Sequence, residues 1–127
     1  MGGFVPRNRT IIISKDDFTR LHALIGHTRL ATELQRAAVL DRECVPPNVV
    51  TMNSKVRFED GSTGEIRDVT IVFPADADPS RAKVSVLATV GMALLGLSEG
   101  QTVLWPFPDG TTRSLRVVKL LYQPEPG

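Results

Sequence analysis

The chain has 127 residues, 42% hydrophobic and 23% charged, with a formal net charge of +1. That length allows one domain, or one domain with a small appendage, and the balance is ordinary for a soluble globular protein. The near-neutral charge excludes a strong electrostatic pull toward nucleic acid or acidic lipid. Dividing the chain at Asn48 changes little, with seven Lys and Arg against five Asp and Glu before it and eight against nine after it. Neither half carries a nucleic-acid footprint, so direct DNA contact is expected to be weak at most. The lone Cys44 makes no intrachain disulfide and by itself builds no zinc site. It is expected to be a reduced, partly buried thiol of a cytoplasmic protein. No apolar run approaches the roughly 20 residues that span a bilayer. The opening MGGFVPRNRT lacks the apolar stretch of a signal peptide, so no membrane partner is expected.

In chain order, Thr10 to Ile13 is a short β-branched run, a strand or an extended lead-in. Ser14 then caps a helix, with Asp17 at the place of the capping-box partner. Asp16 and Asp17 favour the positive end of the helix dipole. Phe18, Leu21 and Ile25 follow at helical spacing, with Leu24 beside them. Gly26 is a stop, Thr28 a second cap, and Leu30, Leu34, Ala37 and Ala38 a second apolar stripe. Pro46-Pro47 prevents continuation. Residues 15 to 43 thus read as a short antiparallel helical hairpin with its tip at His27, Thr28 and Arg29. Its arms are about 15–20 Å long at roughly 1.5 Å per residue. Arms that short are marginal alone and are expected to pack on the rest of the chain.

After Asn48 the texture changes. Val49 to Phe58 alternates, with Val50, Met52, Val56 and Phe58 on one face, and reads as a half-buried strand. Glu59 to Gly64 is turn-rich. Glu65 to Phe73 is a second strand, with Val69, Ile71 and Phe73 as its apolar face. Pro74 to Ser80 is a loop and Lys83 to Leu87 a short strand. Val90 to Leu97 is a short helix punctuated by Gly96 and Gly100. Gln101 to Phe107 and Thr112 to Tyr122 are two strands joined by the Pro108-Asp109-Gly110 turn. The fold class is therefore α+β: residues 1–48 carry the hairpin, and residues 49–127 form an antiparallel sheet with one short helix.

No catalytic set emerges. Gly61-Ser62-Thr63-Gly64 is too short for a phosphate-binding loop and lacks its Lys-Ser/Thr end. His22 and His27 would diverge by about 140° on one helix, so they do not share a metal from one face. Glu59-Asp60 and Asp76 with Asp78 read as solvated turn charges. Trp105 and Phe107 share a strand face and read as core. No catalytic residue, metal, cofactor or small-molecule substrate is expected.

Val84 to Leu97 runs from a strand straight into a helix. It is followed by Glu99-Gly100-Gln101, a Trp-bearing strand, a Gly turn and a strand ending in Leu121-Tyr122. This resembles the C-terminal domain of the Gre transcript-cleavage factors. The resemblance implies an FKBP-like fold that docks on bacterial RNA polymerase at the mouth of its secondary channel. Val49 to Phe58, Gly64 to Arg67 and the opening Thr10 to Ile13 are similar to the Rnk branch of that family. The resemblance covers nearly the whole chain.

In Gre factors a long coiled coil carries acidic tip residues that help hold a catalytic metal. Here the connection is Gly26-His27-Thr28-Arg29, without a carboxylate, and Glu33 lies more than a turn away. Metal-assisted cleavage needs carboxylates presented together, so the cleavage activity is not expected to carry over. The docking role is. The resemblance places the polymerase contact at the strand-to-helix junction: Ala88, Thr89, Val90 and Gly91, with Leu95 and Gly96. The family pattern usually has Pro where Thr89 stands, and Gre factors have Ser where Ala88 stands. Thr89 is expected to cap the helix instead. Two alternatives remain: a degenerate Gre factor that stimulates transcript cleavage, and an FKBP-like prolyl isomerase, which rests on fold analogy alone.

Overall fold

The computed structural model describes residues 4–5, 11–24 and 37–124. In chain order the elements are β1 (Phe4–Val5), β2 (Ile12–Ser14), α1 (Lys15–His22), β3 (Ala38–Leu40), β4 (Lys55–Asp60), β5 (Ile66–Val72), β6 (Lys83–Ser85), α2 (Thr89–Leu94), β7 (Thr102–Pro106) and β8 (Thr112–Tyr122). Six strands form one sheet in the order β1-β7-β8-β4-β5-β6, and β2 pairs with β3 separately.

Alternation decides which way the central strands face. Val56 and Phe58 of β4, Val69 and Ile71 of β5, Val103 and Trp105 of β7, and Leu115 and Val117 of β8 all point into one core. Ala93, Leu94, Leu95 and Leu97, from α2 and the turn after it, belong to the same cluster. On the other face Arg57 pairs with Asp68 at 2.8 Å and Arg116 with Glu59 at 2.9 Å. Such solvent-facing pairs contribute about 1 kcal/mol at most. The β7–β8 hairpin closes at Pro108–Gly110 as its residues suggest, with Phe107 N–H donating to the Thr111 carbonyl at 2.8 Å.

The sheet is mixed rather than antiparallel throughout. β4, β5, β7 and β8 pair antiparallel, but β1 runs parallel to β7 and β6 parallel to β5. Two 3-10 turns, Pro74–Asp76 and Pro79–Arg81, carry the chain back so that β6 runs in the direction of β5. The strand expected over Val49 to Phe58 begins only at Lys55 and continues through Asp60. Upstream, Asn53 takes a left-handed φ of 66°, which asparagine tolerates better than most residues. Ser54 Oγ accepts the Thr51 N–H at 2.8 Å, and Ser54 is fully buried. The apolar period survives in Val50 and Met52: Val50 follows an isolated antiparallel bridge from Val49 to Ser98, and Met52 sits in the turn before β4.

The N-terminal segment departs further. Lys15–His22 is helical, and Ser14 Oγ accepts the Asp17 N–H at 3.1 Å, as a cap should. The tip and most of the expected second arm lie outside the described residues. That arm does not reach residue 43, because Ala38–Leu40 is a strand and Arg42–Cys44 a 3-10 turn. The strand gives the open edge of β2 a partner, with Ala38 N–H donating to the Ile11 carbonyl at 2.8 Å. β2 and β3 are parallel, and parallel neighbours need a connection of roughly a dozen residues or more. Leu24, expected beside the apolar stripe, is 49% exposed. Ile11, Ile13 and Leu21 nevertheless join the one core cluster, so the base of α1 is anchored to the main sheet. Cys44, expected partly buried, is exposed.

Candidate functional site

The strand-to-helix junction is shaped by Ser85, the last residue of β6. Its carbonyl accepts the Ala88 N–H at 2.9 Å, and its Oγ accepts the Leu87 N–H at 3.0 Å. The backbone break therefore falls at Ala88, which is the N-cap in extended conformation and offers no side-chain bond. Thr89 is the first helical residue, not the cap the sequence suggests. Ala88 is exposed, and Thr89 and Val90 are half-buried. Gly91, Leu95 and Gly96 are buried, and Leu95 lies in the core at 1% exposure. Of the six junction residues, three offer surface and three shape the backbone behind it.

Val90 is one wall of a cavity of about 130 Å³, with Phe58, Asp60, Glu65, Arg67, Phe107 and Arg113 around it. The Arg113 guanidinium stacks over the Phe107 ring at 4.5 Å and pairs with Asp60 at 3.3 Å and Asp109 at 3.1 Å. Trp105 and Phe107 do not act as a pair: the first is core, while the second faces this cavity. The Thr111 hydroxyl and N–H, with Arg113, hold the Asp109 carboxyl down at about 2. Burial pushes Asp60 upward, but the hydroxyl and N–H of Ser62 and the Arg113 guanidinium outweigh it, leaving Asp60 below its ordinary range. The sequence signals the turn at Asp109 but not this cluster, because Asp60 and Arg113 lie 53 positions apart.

The sign of the Asp109 effect is testable. A carboxyl whose folded pKa is depressed contributes stability above its unfolded pKa and loses it as pH falls through the folded value. The stability difference between the protein and Asp109→Asn is expected to be full at neutral pH. It should shrink as pH falls from about 4 toward 2. Urea midpoints across that range check it, and a pH-independent difference would contradict it.

A second, larger cleft of about 420 Å³ opens between α1, the Arg42–Cys44 turn, the Thr51–Asn53 turn and Gln123–Pro124. The Asp17 carboxylate, beside the Ser14 side chain, accepts the Met52 N–H at 3.3 Å. Burial pushes Asp17 above its ordinary range, against the opposing pull of that N–H, Arg20, Ser14 and Arg42. Gln123 Nε2 donates to the Pro46 and Val49 carbonyls at 2.9 and 2.8 Å and ties the C-terminal tail down beside it.

His27, Thr28 and Arg29 lie outside the described residues. His22 is exposed on α1, with its ring centroid 5.8 Å from that of Phe18. Among the described residues, no group of three or more His, Cys, Asp or Glu is placed to hold a metal, and no helix is long and apolar enough to cross a membrane.

Residues 45–122 match the family model described as transcription elongation factor GreA/GreB, C-terminal. The chain is 42% identical to the regulator of nucleoside diphosphate kinase of Escherichia coli, over 91% of this chain and 92% of that protein. It is 38% identical to transcription elongation factor GreA of Alkaliphilus oremlandii over 67% of this chain, and spans only 54% of that longer protein. Among solved structures, a GreA/GreB elongation factor from Nitrosomonas europaea superposes with a TM-score of 0.72 at 45% identity. That match covers 89% of this chain and 98% of the other.

Proposed function

This chain belongs to the GreA/GreB family of transcription elongation factors, beside the regulator of nucleoside diphosphate kinase, and from that membership we propose that it is a polymerase-binding regulator of transcription. It docks at the rim of the secondary channel of bacterial RNA polymerase, in the cytoplasm, and competes there with Gre cleavage factors. The contact is made by Ala88, Thr89 and Val90, with Gly91, Leu95 and Gly96 holding them in place from behind. The observation that carries this is the strand-to-helix junction within the matched segment, exposed at Ala88 and half-buried at Thr89 and Val90. An FKBP-like domain with a helical arm is part of the same reading.

The absence of cleavage activity follows from the sequence of the tip, Gly26-His27-Thr28-Arg29. Without a carboxylate it has nothing with which to hold magnesium. A second reading, a degenerate cleavage factor, has the family membership in its favour. An assay on stalled elongation complexes separates the two, since stimulated cleavage would overturn the tip argument. The isomerase alternative rests on fold analogy alone, and a fold does not fix a function. Control of nucleoside diphosphate kinase comes from a relative's name alone, and no residue described here argues for direct contact with that enzyme.

The deciding experiment is capture by core polymerase with and without a Gre factor. The protein is expected to bind and to be displaced. Ala88→Glu and Val90→Glu are each expected to weaken binding by about tenfold or more, the loss of a central contact worth ~1.4 kcal/mol. Arg116→Ala, on the opposite sheet face, should change little. Failure to bind, or binding that a Gre factor does not displace, would overturn the proposal. Circular dichroism confirms that each variant folds.

A further inference from the structure

We propose that Asp17 is a positioning residue that fixes the bearing of α1 on the sheet domain, through the bond its carboxylate accepts from the Met52 N–H. Three observations carry this.

First, the bond joins residues 35 positions apart, at 3.3 Å. It is a side-chain link between α1 and the Thr51–Asn53 turn, made from the first helical turn, where a small rotation swings the far end most. Second, the same segment holds the foot of α2. Val50 N–H donates to the Leu97 carbonyl at 2.8 Å, and Gly96 N–H donates to the Val50 carbonyl at 2.9 Å. The bearing of α1 and the seat of the junction helix are thus referred to the same few residues. Third, the surroundings hold α1 at points around Asp17. Leu21 is fully buried in the shared core. The Arg20 guanidinium lies over the Phe73 ring at 3.8 Å, and Ser14 caps the helix. The helix is pinned at its apolar face by Leu21 and at its polar edge by Asp17.

Burial raises Asp17 above its ordinary range, while the Met52 N–H, Arg20, Ser14 and Arg42 pull the other way, and a place in the first turn of α1 suits an acidic side chain. The bond from the Met52 N–H is directional and reaches across to the Thr51–Asn53 turn.

The consequence for polymerase rests on the docking reading above: a helical arm of fixed bearing enters its site ready-ordered, while a loosened one must be ordered on binding. The test uses the full chain and compares Asp17→Ala, which removes the acceptor, with Asp17→Asn, which keeps one. Asp16→Ala serves as control, since Asp16 is exposed and pairs only loosely with Arg42 at 3.7 Å. Hydrogen exchange is read at the amides of Met52 and α1, and at core strands β4 and β8 for global stability. In Asp17→Ala the Met52 and α1 amides are expected to exchange about tenfold faster, the scale of one lost hydrogen bond. The strand amides should hold their rates, and Asp17→Asn should restore protection to within about threefold. Affinity for polymerase should fall several-fold in Asp17→Ala and recover in Asp17→Asn. Unchanged exchange at Met52 and α1 in Asp17→Ala would overturn the proposal. So would equal acceleration everywhere, which is a global loss, or no recovery in Asp17→Asn. If the unaltered protein fails to bind polymerase, the docking reading falls while exchange alone still decides the role of Asp17.

Discussion

Gly96→Ala is expected to destabilise the protein by about 2–6 kcal/mol, a large share of the ~5–15 kcal/mol that a domain has in total. Two effects add at this position. Gly96 has a φ of +82°, a left-handed conformation that costs a residue with a side chain about 1–3 kcal/mol. A β-carbon there would also run into the β-carbon of Ile11 and come within 3.2 Å of its α-carbon. Ile11 is fully buried, so it has no free space to retreat into, and overpacking of this kind costs about 1–3 kcal/mol more. Gly110 separates the two effects. Its φ is +86°, but nothing lies within 4 Å of where its β-carbon would be. Gly110→Ala should therefore show the conformational cost alone, about 1–3 kcal/mol. Urea unfolding of both variants measures the difference. Equal losses would mean that Ile11 does not press on Gly96, and that the N-terminal strand is not seated against the turn after α2.

Gly91→Ala is expected to couple stability to docking. A β-carbon at Gly91 would run into the Ser85 carbonyl oxygen and approach the Val86 α-carbon at 3.0 Å. Both obstacles are backbone, so neither moves aside as a flexible side chain would. The helix must lift off the end of β6, carrying Ala88, Thr89 and Val90 with it. The cost is about 1–3 kcal/mol, even though alanine is intrinsically about 1 kcal/mol better than glycine within a helix. Polymerase affinity is expected to fall by about tenfold or more, measured at a temperature where the variant is folded. A variant with unchanged stability would contradict the close approach of α2 to β6. A destabilised variant that binds normally would leave the packing intact and remove the junction from the docking surface.

The central sheet is legible because its information is local. β8 runs over Thr112–Tyr122, the bounds that the alternation and the Pro108–Gly110 turn imply. The inward set Val56, Phe58, Val69 and Ile71 follows period two directly. Ser14 announces the cap of α1 through a bond only three residues long. The same local logic misleads at Met52–Asn53, where alternation continues through a turn, since a core accepts apolar residues from either. At Thr89 a good capping residue stands one position too late, because Ser85 sets the break at Ala88. Ala38–Leu40 carries a helical apolar pattern yet forms a strand, since the unpaired edge of β2 is a stronger demand than the propensity of three residues.

By itself, then, the sequence determined the class of fold, the face of each central strand and the family resemblance, all written in neighbouring residues or contiguous motifs. Only the tertiary structure decided the parallel pairings of β1 and β6, the Arg113 cluster beside Val90, and the bond from Asp17 to Met52. Each of those depends on groups at least 13 positions apart in the chain, and most of them on groups much further apart. No period or spacing records such a meeting, because it exists only once the core has closed and fixed which backbone groups lie within reach.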